Sequence, residues 1–171
     1  LALLAVLPGT SISHANTFVY GIATSANIPS EYKIVKNGAV IDPSGLKKYD
    51  VVTLDAANRQ ALVSDTRVSG RYSEGGPTVS YPQEVKVYGN SFRISDSAAA
   101  FFKDMKLKDY ITLLFDADGN VAAAYPRSTV SADMQGIVTA IDESKATVTL
   151  TNGVTLRNMD IDKLDKPTAL M

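Results

Sequence analysis

Tyr32-Lys-Ile-Val-Lys36-Asn37-Gly38-Ala39-Val40-Ile41 decides how the rest of this 171-residue chain is read. Two short β-branched runs flank Asn-Gly. A type I′ turn needs positive φ at both central positions, which Asn and Gly tolerate best, so the stretch reads as a tight antiparallel hairpin. The same grammar recurs on either side. Phe18 to Ser25 has the composition of a strand. Asp42-Pro43-Ser44-Gly45 reads as a loop or a single helical turn. Asp50–Leu54 and Ala61–Val68 pair across Ala56–Arg59. Glu84–Val87 pairs with Ser91–Ile94 across Gly89-Asn90, and Asp109–Phe115 pairs with Val121–Tyr125 across Asp116–Asn120. Gly70 to Gln83, containing Gly75-Gly76-Pro77 and Pro82, reads as the longest loop. Ser95 suits the N-cap of one short helix over Asp96–Lys103, with acidic Asp96 in its first turn. The expected fold class is mainly β: a small barrel or sandwich of antiparallel hairpins with one short helix. Val51, Val85, Val87, Ile111, Leu113 and Phe115 are its expected core.

Self-similarity sets the organisation. Gly21-Ile22-Ala23-Thr24 lies over Gly136-Ile137-Val138-Thr139 in the register that lays Asn37-Gly38 over Asn152-Gly153. Leu46, Lys48 and Asp50 then meet Ile161, Lys163 and Asp165. Upstream, Pro8 falls on Pro126 and Leu3 on Val121, after a slip that a longer loop between Ser13 and Gly21 accounts for. A tandem repeat follows: residues 1–16 end a preceding module and carry a linker, 17–126 form a complete β module, and 127–171 hold a linker and the start of the next. The apolar run Leu1–Leu7, followed by Pro8-Gly9 and Ser13-His14-Ala15, also has the look of a signal-peptide core with a small-x-small cleavage site. No basic segment precedes it, and the repeat register favours a strand. A fainter similarity lays Leu46, Lys47, Tyr49, Asp55 and Ala56 over Leu107, Lys108, Tyr110, Asp116 and Ala117, which suggests two related halves in each module.

Composition excludes several chemistries. The chain is 45% apolar and 20% charged, as core-forming proteins are. Its net charge of -1 gives no electrostatic footprint for nucleic acid or an anionic membrane. No Cys is present, which removes disulfides, zinc thiolate sites and cysteine nucleophiles. One His cannot build a multi-histidine metal site. That residue, His14, has Ser11, Ser13 and Ser25 nearby, but no Gly-x-Ser-x-Gly elbow occurs. The repeat places His14 in a linker and gives it Ala132 as counterpart. Asp116/Asp118 and Asp160/Asp162 are the carboxylate pairs a glycosidase reading would need. Asp116-Ala-Asp118-Gly119-Asn120 opens like a calcium loop, yet Gly is fourth instead of sixth and Arg127 stands at the twelfth place. A turn with Gly119 at positive φ is the better account. No Gly-rich loop opens a helix after a strand, so nucleotide binding has no support. Arg67, Arg71, Lys86 and Arg93 read as solvated faces of half-buried strands. No catalytic residue, metal ligand or cofactor is expected.

Tyrosine is the residue class left for recognition. Tyr72 and Tyr81 flank the Gly/Pro loop and Tyr88 precedes a turn. Exposed rings there could stack on sugar faces or anchor a protein interface, and Tyr72 and Tyr81 are the candidate ligand-binding residues.

The wording of two segments carries a resemblance. Tyr49-Asp-Val-Val-Thr-Leu-Asp-Ala-Ala-Asn-Arg-Gln-Ala-Leu-Val-Ser-Asp65 and Leu107-Lys-Asp-Tyr-Ile-Thr-Leu-Leu-Phe-Asp-Ala-Asp-Gly-Asn-Val121 resemble a phrase that recurs in large clostridial-type (Firmicutes) surface proteins carrying S-layer homology domains. The resemblance covers about Gly21 to Pro126. It implies an exported β module displayed at the cell surface or wall, with neighbouring repeats of the same chain as its partners. The expected function is a non-catalytic structural or spacer repeat. The alternative is a surface module that binds a glycan or a host protein. An enzyme is the least supported reading.

Overall fold

The computed structural model describes residues 16–22, 27–87, 89–130, 134–135, 138–145, 147–150 and 152–157. Leu1–Leu7, His14, Tyr88, Asp160 and Asp162 lie outside the described residues. The chain is mainly β. Its strands are β1 (Thr17–Val19), β2 (Lys33–Lys36), β3 (Ala39–Ile41), β4 (Val51–Asp55), β5 (Gln60–Ser64), β6 (Arg67–Gly76), β7 (Glu84–Val87), β8 (Asn90–Arg93), β9 (Tyr110–Phe115), β10 (Val121–Pro126), β11 (Met134–Gln135), β12 (Val138–Asp142), β13 (Thr147–Leu150) and β14 (Thr155–Leu156).

The first sheet runs β1-β4-β5-β2-β3. Its β2–β3 hairpin turns through Asn37 at φ 50 and Gly38 at φ 85, the type I′ geometry expected of Asn-Gly. β2 pairs with β5 in parallel, from Lys33↔Gln60 to Lys36↔Val63, so this sheet is not built of antiparallel hairpins alone. The strand expected over Ala61–Val68 breaks after Ser64. Thr66 N–H donates to the Ser64 hydroxyl at 3.2 Å, and the chain then passes into the second sheet.

That second sheet runs β10-β9-β6-β7-β8, with β11 pairing β6 at Val68 and Arg67. Its spine corrects the expected loop over Gly70–Gln83. β6 continues to Gly76, pairing with β9 through Arg67–Arg71 and with β7 through Tyr72–Gly76. Gly75 belongs there for a reason other than flexibility: a Cβ would run into the Tyr72 hydroxyl. The true loop is Pro77–Gln83. The expected helix is a 3₁₀ segment over Asp96–Phe102. Ser95 does not cap it with its side chain; its hydroxyl donates to Val121 O at 3.2 Å.

No closed barrel forms among the described residues. β8 and β10 approach through the single parallel bridge Ile94↔Val121, and the 3₁₀ segment follows at once. The open face is filled by side chains. Tyr72, Val85, Val87, Phe92, Phe102, Ile111, Leu113, Phe115 and Val121 pack there in one core. Val148, Leu150, Val154 and Leu156 of the β12-β13-β14 sheet belong to that same core. The expected core residues are all buried, with Val51 in a different place. It meets Val19, Leu114, Ala122 and Ala123 where the backs of the two large sheets touch.

Two polar contacts fasten the β13–β14 hairpin to the second sheet. Asn90, buried at the start of β8, accepts Arg157 N–H at 2.6 Å and donates to Arg157 O at 3.4 Å, so its amide acts as one more β-bridge. At the other end Asn152 donates to Asp116 O at 3.0 Å. Asn90→Ala leaves both Arg157 groups without a partner, a loss of about 1–3 kcal/mol. Amide exchange should accelerate over Thr147–Leu156 before it does in β6 and β9, and uniform acceleration would contradict the local role.

Candidate functional site

Tyr72 and Tyr81 are both attached to the Pro77–Gln83 loop, but from opposite sides. The Tyr72 ring is completely buried, stacked edge-on with Phe102 at 5.4 Å between centroids, and its hydroxyl donates to Val79 O at 2.6 Å. It holds the loop down from beneath and offers no ring face to a ligand, which corrects its assignment as an exposed binding residue. Its alternation with Gly70 and its place inside β6 turn it inward, whereas the loop reading put it in solvent. Tyr81 is 61% exposed and its backbone N–H donates to the Thr78 hydroxyl. The two rings do not form a shared platform.

Arg67 also departs from expectation. It is buried, and its Nε donates to Asp65 O at 3.2 Å. Arg71 and Arg93 are exposed as expected, and Lys86 pairs with Glu74 at 3.1 Å.

The Asp116–Asn120 segment is a turn. Asp116 Oδ1 accepts from the backbone N–H groups of Asp118 at 2.9 Å and Asn120 at 3.0 Å, and Gly119 has φ +84. Burial raises the Asp116 pKa, against the lowering effect of those amides. Its carboxylate is engaged in shaping the turn. Among the described residues no group of three or more His, Cys, Asp or Glu could hold a metal ion, and no helix is long and apolar enough to cross a membrane.

An aromatic-walled groove lies elsewhere. It has a volume of about 500 Å³ and runs between the 3₁₀ segment and the β9–β10 hairpin. Phe101, Met105, Tyr110, Tyr125 and Pro126 form its apolar walls, with Asp104 and Asp109 also lining it. Phe101 and Tyr110 are 37% and 43% exposed. Each ring is already engaged. Tyr125 meets Tyr49 and Phe101 edge-on, both at 5.4 Å, while the guanidinium groups of Arg71 and Arg127 lie 5.0 and 5.8 Å from the Tyr110 centroid. Burial, with Tyr49 adding a smaller effect, raises the Tyr125 pKa. Sequence reading missed this groove because its walls come from positions far apart. The available signal was the alternation Tyr110, Thr112, Leu114, which sets one face of β9 apart from the core face Ile111, Leu113, Phe115.

Burial pushes the Tyr72 hydroxyl up to about 12 from the ordinary 10.0. The folded chain therefore holds this proton more tightly than the unfolded chain does. The associated stability is fully present below about pH 10 and is lost as pH rises toward 12. Tyr72→Phe should remove that part of the alkaline loss. It should also cost roughly 1 kcal/mol at neutral pH through the lost bond to Val79 O. Denaturant unfolding of both proteins from pH 8 to 12 checks this, and parallel pH curves would count against it. Compared with known proteins, the chain matches no family model, no curated protein and no solved structure.

Proposed function

We propose that the chain is a non-catalytic structural repeat of a bacterial cell-surface protein, whose successive units join by sharing hydrophobic core. One observation carries this reading. The segment that the repeat register assigns to the start of a following copy buries Val148, Leu150, Val154 and Leu156 in the core of the preceding sheet. A unit that completes its core with its neighbour's residues behaves as part of a stack, in which stability and stiffness belong to the array. The resemblance to S-layer-type surface repeats supports display outside the cell in the same role.

The test is dimensional. Chains carrying two, three and four tandem copies of residues 17–126 should grow by a constant increment in maximum dimension, measured by small-angle scattering. Growth with roughly the square root of copy number, as for flexibly linked beads, would remove the spacer reading.

A second reading, a surface module for a glycan or a host protein, draws on the aromatic groove with Asp104 and Asp109. On that reading, titrating chitotriose into the labelled protein shifts the amide signals of Phe101, Tyr110 and Tyr125, and Tyr110→Ala abolishes the response. Unmoved signals would sink the glycan form of this reading.

A further inference from the structure

The net charge of -1 averages over an uneven surface. Seven of the seventeen Lys and Arg residues gather around the Tyr110–Pro126 end of the β9–β10 hairpin. Arg71 pairs with Tyr110 across β6 and β9, and Arg127 N–H donates to Tyr110 O at 2.9 Å. The turn carrying Lys106 and Lys108 adjoins them. Lys108 N–H donates to Tyr72 O, and Lys108 O accepts from the Arg71 guanidinium at 3.1 Å. Lys103 ends the 3₁₀ segment, two residues beyond Phe101 of the groove wall. Tyr125 of that wall meets the Tyr49 ring, and the Lys48 amine lies 5.3 Å from the Tyr49 centroid, with Lys47 beside it in the chain. All of these cations except Arg127 are exposed. The same segments carry three carboxylates. Asp50 is buried and paired with Lys36 at 2.8 Å, which leaves Asp104 and Asp109 to offset seven cations. A surface so dominated by one sign draws chains of the opposite sign.

We propose that this end of the molecule binds a phosphodiester-linked polyol chain, an anionic polymer of the bacterial wall. The choice of polymer rests on the cell-surface reading above; the charge does not. Two observations select this occupant. Arg71 and Arg127 stand to either side of β9, two strand spacings or about 10 Å apart, and the lysines lie beyond them. Cations spread in this way suit a chain with a repeated charge better than one compact anion. The second observation concerns the rings. Tyr110 already carries two guanidinium groups, and Tyr125 is met edge-on by Tyr49 and Phe101. Single-stranded nucleic acid binds by stacking its bases on free aromatic faces. A polyol phosphate has no base to stack and asks only for charge and hydrogen bonds.

Titration of the whole 171-residue chain with a short poly(glycerol phosphate) tests the proposal. The amide signals of Arg71, Lys106, Lys108 and Tyr110 should shift, and the logarithm of affinity should fall linearly with the logarithm of salt concentration. The triple variant Arg71→Gln, Lys106→Gln, Lys108→Gln should weaken binding about tenfold or more and reduce the salt slope by about two. Lys33→Gln, Arg93→Gln, Lys145→Gln removes the same charge from exposed sites elsewhere and should leave affinity and slope near those of the parent. Unmoved signals, or equal losses in the two triple variants, overturn the proposal. So does tighter binding of an oligothymidylate of matched charge, which would put nucleic acid in place of the polyol, or equal binding of poly-glutamate, which would put an acidic peptide there. A positive titration with a failed tandem-copy scattering experiment removes the spacer reading and leaves the site standing; the reverse result removes the site alone.

Discussion

An open, curved sheet cannot leave its apolar face in water, and this constraint organises the chain. The second sheet does not close on itself, so the side chains of β6, β7, β9 and β10 need a cover from outside the sheet. The 3₁₀ segment supplies part of it through Ala98 and Phe102. β13–β14 supplies the rest. Burial of each of its large apolar side chains stabilises the fold by about 1.5–3 kcal/mol. Those residues together represent an energy comparable with the whole stability of a small domain. The back of the same sheet is built differently. Ala122 and Ala123 are small enough to let β10 approach Val19 and Val51, and Leu114 fills the remaining space.

Two turns show how local chemistry sets up this arrangement. In Lys47-Lys48-Tyr49-Asp50, Asp50 N–H donates to Lys47 O and its carboxylate accepts Lys47 N–H at 2.9 Å. In Lys106-Leu107-Lys108-Asp109 the same two bonds recur, the second also at 2.9 Å. Tyr49 and Lys108 take φ 74 and 78 at the third place. A non-glycine residue there costs on the order of 1–3 kcal/mol, which the two bonds offset. Each turn also registers a strand: Tyr20 and Asp50 are linked as Tyr72 and Asp109 are. Asp50 does more than its twin. Buried to 1% exposure, it also pairs with Lys36 at 2.8 Å and ties β2 to the turn before β4.

Where turn chemistry dominates, the sequence was legible. Asn37-Gly38 and the Asp116–Asn120 turn each specify the backbone through positive φ or a carboxylate acceptor, and the strands beside them follow. The turn expected at Gly89-Asn90 is displaced, since Gly89 takes φ 71 but Asn90 already pairs with Val87 as the first residue of β8. Where tertiary contact dominates, it was not. Gly75-Gly76 reads as a loop by composition but sits in β6, where Tyr72 occupies the space a side chain at Gly75 would need. Asp96–Phe102 has helical composition but settles as a 3₁₀ segment with Phe102 fully buried, and Ser95 is drawn to Val121 O. Tyr72 was read with the wrong face outward for the same reason: misplacing β6 removes the alternation that identifies its inward side. The groove could not be read at all, since pairing brings Tyr125 opposite Thr112 only after the hairpin forms.

The groove beside Phe101 and Tyr125 shows why a cavity alone does not identify a binding site here. A sugar-binding platform needs a free aromatic face. Tyr125 is held edge-on from both sides, and two guanidinium groups already lie near Tyr110. A ligand would have to displace cation–π contacts worth about 0.5–1 kcal/mol each at an exposed site before gaining its own. The same contacts have a clear structural use. Tyr49 belongs to the turn before β4, Tyr125 to the end of β10 and Phe101 to the 3₁₀ segment, so the ring chain fixes the first sheet against the second. Tyr49, Tyr125 and Phe101 thus act as a rigid coupling between the two large sheets, which is a packing role and leaves Tyr125 no free face for a ligand.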